Sequence, residues 1–164
     1  MTARGRGRRL VIGAAALLLL GATACGGGDG GDDGNGTKGS GNDGPVQITL
    51  QEWAVLAEPA RATAGEVTFD ISNEGEEIHE FVILKTDLGL LDLPTAEDGS
   101  VDEEGGEIEV VDEVEDIPSG DTAELTVDLE AGDYVILCNI VEEEGHDDHE
   151  AHFEMGMRTS FTVQ

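Results

Sequence analysis

Apolar residues fall at every second position in three stretches of this sequence: Val46, Ile48 and Leu50; Val67, Phe69 and Ile71; Leu125, Val127 and Leu129. A period of two belongs to strands with one face buried and the other solvated. Phe81-Val82-Ile83-Leu84 and Tyr134-Val135-Ile136-Leu137 are short continuous apolar runs of the kind found in interior strands, and Ser160 to Val163 ends the sequence with another brief alternation. Turn-forming residues separate these segments at Ala64-Gly65, Asn73-Glu74-Gly75, Pro118-Ser119-Gly120 and Ala131-Gly132-Asp133. No long stretch carries the 3.6-residue period of an amphipathic helix. The pattern predicts an all-β domain over residues 45–164, a single Greek-key β-sandwich, and that length suffices to bury one two-sheet core. Lys85 to Glu107 is acidic and Gly-containing, so it is expected to be loop with some short strand, with room for one helical turn at Thr95-Ala96-Glu97-Asp98.

The first 44 residues have a different character. Arg4, Arg6, Arg8 and Arg9 precede the apolar run Leu10 to Leu20, and Gly21-Ala22-Thr23-Ala24 leads into Cys25. That order is the one of a signal peptide, over residues 1–24. Leu10 to Ala24 falls short of the roughly 20 apolar residues a spanning helix needs. The Ala-Thr-Ala-Cys junction resembles a bacterial lipobox, which implies that Cys25 is acylated and becomes the new N-terminus, anchored to the outer face of the cytoplasmic membrane. Ten of the nineteen residues from Gly26 to Gly44 are Gly, interspersed with Asp29, Asp32, Asp33 and Asp43. Residues 25–44 are therefore expected to be a disordered Gly/Asp-rich tether.

Charge excludes some partners. The sequence carries 37 acidic against 8 basic residues, a formal charge of −29, and cleavage before Cys25 would remove four of the basic ones and no acidic one. Nucleic acid and anionic headgroups are poor partners for such a surface. The acidity serves either solubility or the steering of a basic partner protein, and both can hold.

With Cys25 assigned to lipid, Cys138 is left single in an oxidising compartment, where burial, intermolecular pairing or a metal must protect the thiol. Cys138-Asn139-Ile140 follows an interior strand, and His152-Phe153-Glu154-Met155-Gly156-Met157 precedes the closing one. This arrangement resembles the copper loop of the cupredoxins, the plastocyanin, pseudoazurin and azurin family. The resemblance extends upstream to Asn73-Glu74-Gly75-Glu76-Glu77-Ile78-His79 followed by Phe81-Val82-Ile83, and covers roughly Val46 to Val163.

The resemblance implies a cupredoxin-type sandwich in which His79, Cys138, His152 and Met157 hold one copper ion that cycles between Cu(I) and Cu(II). It implies an electron carrier with a redox partner protein, not an enzyme, and no small-molecule substrate. The rival readings are a copper buffering or delivery protein and an interaction module without a redox role. A thiolate and two imidazoles with a weak axial thioether are a donor set suited to copper. No Gly-rich phosphate cradle, nucleophile triad or paired-carboxylate arrangement stands out.

Two departures from the family are visible. Thirteen residues separate Cys138 from His152, more than in the best-known members, and they contain His146 and His149 among acidic residues. Loop closure costs only about 0.6 kcal/mol per doubling of length, so the insertion is compatible with the site. His146 and His149 are themselves candidates for a second divalent ion, or belong to a solvated acidic loop. Glu80 follows His79 where many blue copper members have Asn, so a hydrogen bond bracing the loop is expected to be missing or replaced.

Overall fold

The alternating segments fold into strands whose inward residues meet across two sheets, in a computed structural model that describes residues 44–143 and 149–164. The expected signal peptide, Cys25, the tether, His146 and the side chain of His149 lie outside the described residues. In chain order the strands are β1 (Val46–Gln51), β2 (Ala54–Glu58), β3 (Arg61–Ala62), β4 (Gly65–Asn73), β5 (His79–Lys85), β6 (Glu109–Ile117), β7 (Thr122–Leu129), β8 (Gly132–Leu137), β9 (Val141–Glu143), β10 (His149–Ala151) and, after the short helix α1 (His152–Met155), β11 (Arg158–Val163).

One sheet has the order β2-β1-β4-β7 and the other β3-β11-β8-β5-β6, while β9 and β10 form a separate two-stranded ribbon. The chain visits the second sheet at β3 and returns at β4, crosses again between β4 and β5, returns between β6 and β7, and crosses once more between β7 and β8. Such crossings are the mark of the expected all-β sandwich. Val46, Ile48, Leu50, Val67, Phe69 and Ile71 from one sheet share a core with Phe81, Ile83, Ile136 and Phe161 from the other. Phe69 lies at its centre, with ring centroids 5.3 Å from Phe81 and 5.5 Å from Phe161.

The two continuous apolar runs have a specific reason. Phe81 and Ile83 face the inner core, whereas Val82 and Leu84 join Val135, Leu137, Leu93, Val101 and Phe153 in a second buried cluster on the outer face. The segment after β5 thus covers the sheet, and β5 and β8 are apolar on both faces because both are buried. Within that segment Thr95 bridges Val101 and the Ala96 N–H donates to the Ser100 carbonyl, which gives a tight turn in place of a helical one. β6 is a nine-residue strand that begins just past the expected loop of Lys85 to Glu107, and acidic residues on its exposed positions obscure its alternation. As a sheet edge it presents Glu109, Asp112, Glu113 and Glu115, charges that discourage pairing with another chain.

Candidate metal centre

Three elements converge at one end of the sandwich. His79 opens β5, Cys138 directly follows β8, and His152 opens α1. A bulge sets the first of these: His79 pairs with Ile117 but Phe81 pairs with Val114, so β6 carries an extra residue opposite Glu80, and Asp116 there adopts a φ of 49°. Bulges bend a strand and re-aim its side chains. Cys138 and His152 are brought together by backbone bonds. The Cys138 N–H donates to the Met157 carbonyl at 3.0 Å, the His152 N–H to the Ile140 carbonyl at 3.0 Å, and the Met157 N–H to the His152 carbonyl at 3.0 Å.

The insertion between Cys138 and His152 keeps this closure. Its two arms pair as the β9-β10 ribbon, Val141 against Ala151 and Glu142 against Glu150, so the chain leaves the site and returns to it at the same place. Gly156 tightens the turn before Met157. Its φ is 128° and a Cβ there would stand 2.9 Å from the Trp53 carbonyl oxygen, so this backbone approach requires glycine.

His79, Cys138, His152 and Met157 all have no solvent exposure. One donor atom from each of His79, Cys138 and His152 lies within 4.8 Å of the others. His79 Nδ1 and His152 Nδ1 are 3.2 Å apart, and Cys138 Sγ is 3.3 Å from His152 Nδ1.

The tautomers follow from the outer side of the rings. His79 Nε2 is 3.1 Å from Glu52 Oε1, and His152 Nε2, which has no hydrogen-bond partner among the described residues, lies 3.6 Å from Glu77 Oε2. A carboxylate can only accept, so the bond to Glu52 puts the His79 proton on Nε2 and its lone pair on Nδ1, and the Glu77 carboxylate near His152 Nε2 favours the same tautomer there. Two lone pairs then face each other at 3.2 Å beside a thiol, in a place with no water access. That arrangement is unfavourable unless a cation sits between them, and two imidazole nitrogens with a sulfur suit copper or zinc.

Burial keeps all three donors uncharged. Burial pushes the Cys138 thiol up to about 11, and the charge of Glu80 adds to this against the N–H groups of Glu80 and Ile140. Burial holds both imidazoles below their ordinary pKa, and for His152 the neighbouring His79 acts in the same direction. The apo site is therefore neutral near pH 7, with a thiol to deprotonate when a cation enters.

Of the surrounding residues, Glu52 and Trp53 carried no signal in the sequence, and Asn73 was visible only as the start of the turn before His79. Glu52 and Trp53 sit in the β1-β2 turn, where the Trp53 ring meets His152 edge-on at 5.1 Å. Asn73, buried at the end of β4, donates from Nδ2 to the carbonyls of Glu77 (2.7 Å) and Ile117 (2.8 Å), which ties the segment before His79 to β6. Asn139 was visible only as the neighbour of Cys138. Its Oδ1 accepts the Val101 N–H at 2.6 Å, and its Nδ2 donates to the Val101 carbonyl and to Glu103.

Of the two outcomes expected at Glu80, a bracing bond missing or replaced, the structure has a replacement. Glu80 Oε1 accepts the Asn139 N–H at 2.7 Å, and the Glu80 N–H donates to Cys138 Sγ at 3.4 Å. Burial raises the Glu80 pKa to about 7, reinforced by Glu103, Glu113 and Glu115 and opposed by the Asn139 N–H.

No protein-family model matches the sequence, and no curated protein matches it either. Among solved structures the chain is similar to dithionite-reduced auracyanin from the photosynthetic bacterium Roseiflexus castenholzii, at 18% identity over 72% of this chain and 94% of that one, with a TM-score of 0.48. Auracyanin A, described as a blue copper protein from the green thermophilic photosynthetic bacterium Chloroflexus aurantiacus, matches at 21% identity over 74% of this chain and 100% of that one, TM-score 0.45. Rusticyanin from Thiobacillus ferrooxidans matches at 18% identity over 73% and 75% of the two chains, TM-score 0.47.

Proposed function

We propose that this protein is a one-copper electron carrier of the cupredoxin type, with His79 Nδ1, Cys138 Sγ and His152 Nδ1 as the strong donors and the Met157 thioether as the weak one. The observation that carries the reading is the pair of imidazole Nδ1 atoms 3.2 Å apart beside a buried thiol. Bound copper supplies a one-electron couple between Cu(I) and Cu(II). The chain's part is to hold its donors still. The bulge at His79, the backbone bonds that close Cys138 onto Met157 and His152 onto Ile140, and the cover of Trp53 favour one donor arrangement for both oxidation states.

The sequence supports a location as well. The Arg-rich start, the short apolar run and Ala-Thr-Ala-Cys suit export and lipidation at Cys25, with residues 25–44 as a tether on the outer face of the cytoplasmic membrane. The acidic surface suits a redox partner protein with a basic docking face. The purified domain loaded with copper is expected to show an intense visible band and a reversible one-electron couple by voltammetry. Colourless Cu(I) that exchanges rapidly to a chelator, with no reversible couple, would contradict the carrier and support copper buffering or delivery.

A further inference from the structure

Glu52 is a single carboxylate with three duties. Its Oε1 lies 3.1 Å from His79 Nε2 and accepts the backbone N–H groups of Glu76 and Glu77, both at 2.9 Å. Gly75 packs so closely on this carboxylate that a Cβ there would overlap it. Burial alone would push the Glu52 pKa up, but the N–H groups of Glu77, Glu52 itself and Glu76, with His79, outweigh it and hold the group below the usual carboxylate value.

We infer that Glu52 is the positioning residue of the metal centre: through His79 Nε2 it fixes the tautomer that leaves Nδ1 free to bind, and its charge biases the bound copper toward the divalent state. This rests on the copper reading above. A carboxylate on the outer N–H of a ligating imidazole makes that imidazole a stronger donor, and such partners govern both affinity and ring orientation. A stronger, more negative donor favours Cu(II) over Cu(I) and lowers the reduction potential. Glu77 stands in the corresponding place behind His152, 3.6 Å from Nε2, so both rings are backed by carboxylates. Glu52 also positions that second carboxylate, because it holds the backbone N–H of Glu77.

The test separates charge from shape. Glu52→Gln keeps an acceptor and the side-chain volume but removes the charge, Glu52→Ala removes both, and Glu124→Gln removes one charge from an exposed position of β7 opposite Asp70, outside the metal site. Copper content, visible spectrum and reduction potential are measured for each beside the wild type. Glu52→Gln is expected to bind one copper and to shift the Cu(I)-to-Cu(II) preference about tenfold toward Cu(I), a rise of about 59 mV for one electron. Glu52→Ala is expected to rise at least as far and to lose copper faster, because the His79 ring is no longer held. Glu124→Gln is expected to match the wild type.

If Glu52→Gln binds copper with the potential of Glu124→Gln, the assignment is overturned and Glu52 serves only the turn at Glu76 and Glu77, while the carrier reading stands. If the wild type itself binds no copper, both fall.

Discussion

His79 and His152 are neutral imidazoles in the apo protein because burial disfavours their charged forms. Unfolded, each would titrate near 6.5. Below that pH the unfolded chain binds more protons than the folded one, so stability rises with pH across the window beneath about 6.5 and is lost on acidification. Urea unfolding of the apo domain from pH 5 to 7.5 should therefore show falling midpoints toward acid, and His79→Gln should flatten the dependence. Met157 is fully buried, and Leu has nearly its volume, so Met157→Leu should keep the fold. If Met157 is the weak thioether donor, its loss should retain copper and raise the reduction potential, which voltammetry of the variant would check.

Between residue and fold stand the elements that carry the donors, and two positions there invite direct tests. Asn139 satisfies both backbone groups of Val101, so Asn139→Ala leaves a buried N–H and carbonyl without partners. Denaturant unfolding should show a loss of about 1–3 kcal/mol, with faster amide exchange around Val101. Gly156→Ala combines a φ of 128° with a Cβ 2.9 Å from the Trp53 oxygen. Positions of this kind cost about 1–3 kcal/mol when occupied by another residue, and thermal unfolding of the apo domain would register it.

The elements also show what sequence can and cannot convey. β1, β4 and β7 were legible because only one of their faces meets the core, so alternation survives, and β5 and β8 were legible as runs because both faces are buried. β6 was not, since its acidic edge overwrites the period. Cys138, His152 and Met157 are close in sequence and stood out together. Glu52 and Trp53 were hidden because their roles depend on contacts far along the chain, such as Glu52 with His79, while Asn73 was visible only as part of a turn.

Across the whole molecule the dominant quantity is charge, formally −29 for the full sequence. A field of that sign is screened within roughly 8 Å at physiological ionic strength. Association with a basic redox partner should therefore slow as salt rises, mainly in the on-rate, and stopped-flow rates that stay flat would leave the acidity as a solubility device. The same acidity lines the edge strand β6 and the approach to the metal centre, where Glu52, Glu77 and Glu142 surround the two imidazoles. Copper titration of the purified domain, read by visible absorbance and metal content, is the decisive measurement for the metal centre. The wild type is expected to bind one copper per chain, with loss of the band and of tight binding in Cys138→Ala and His152→Ala, and near-wild-type behaviour when His146 and His149 are both replaced by Ala. A double loop variant that loses the copper while His152→Ala retains it would overturn the assignment and make the inserted hairpin the metal-binding element.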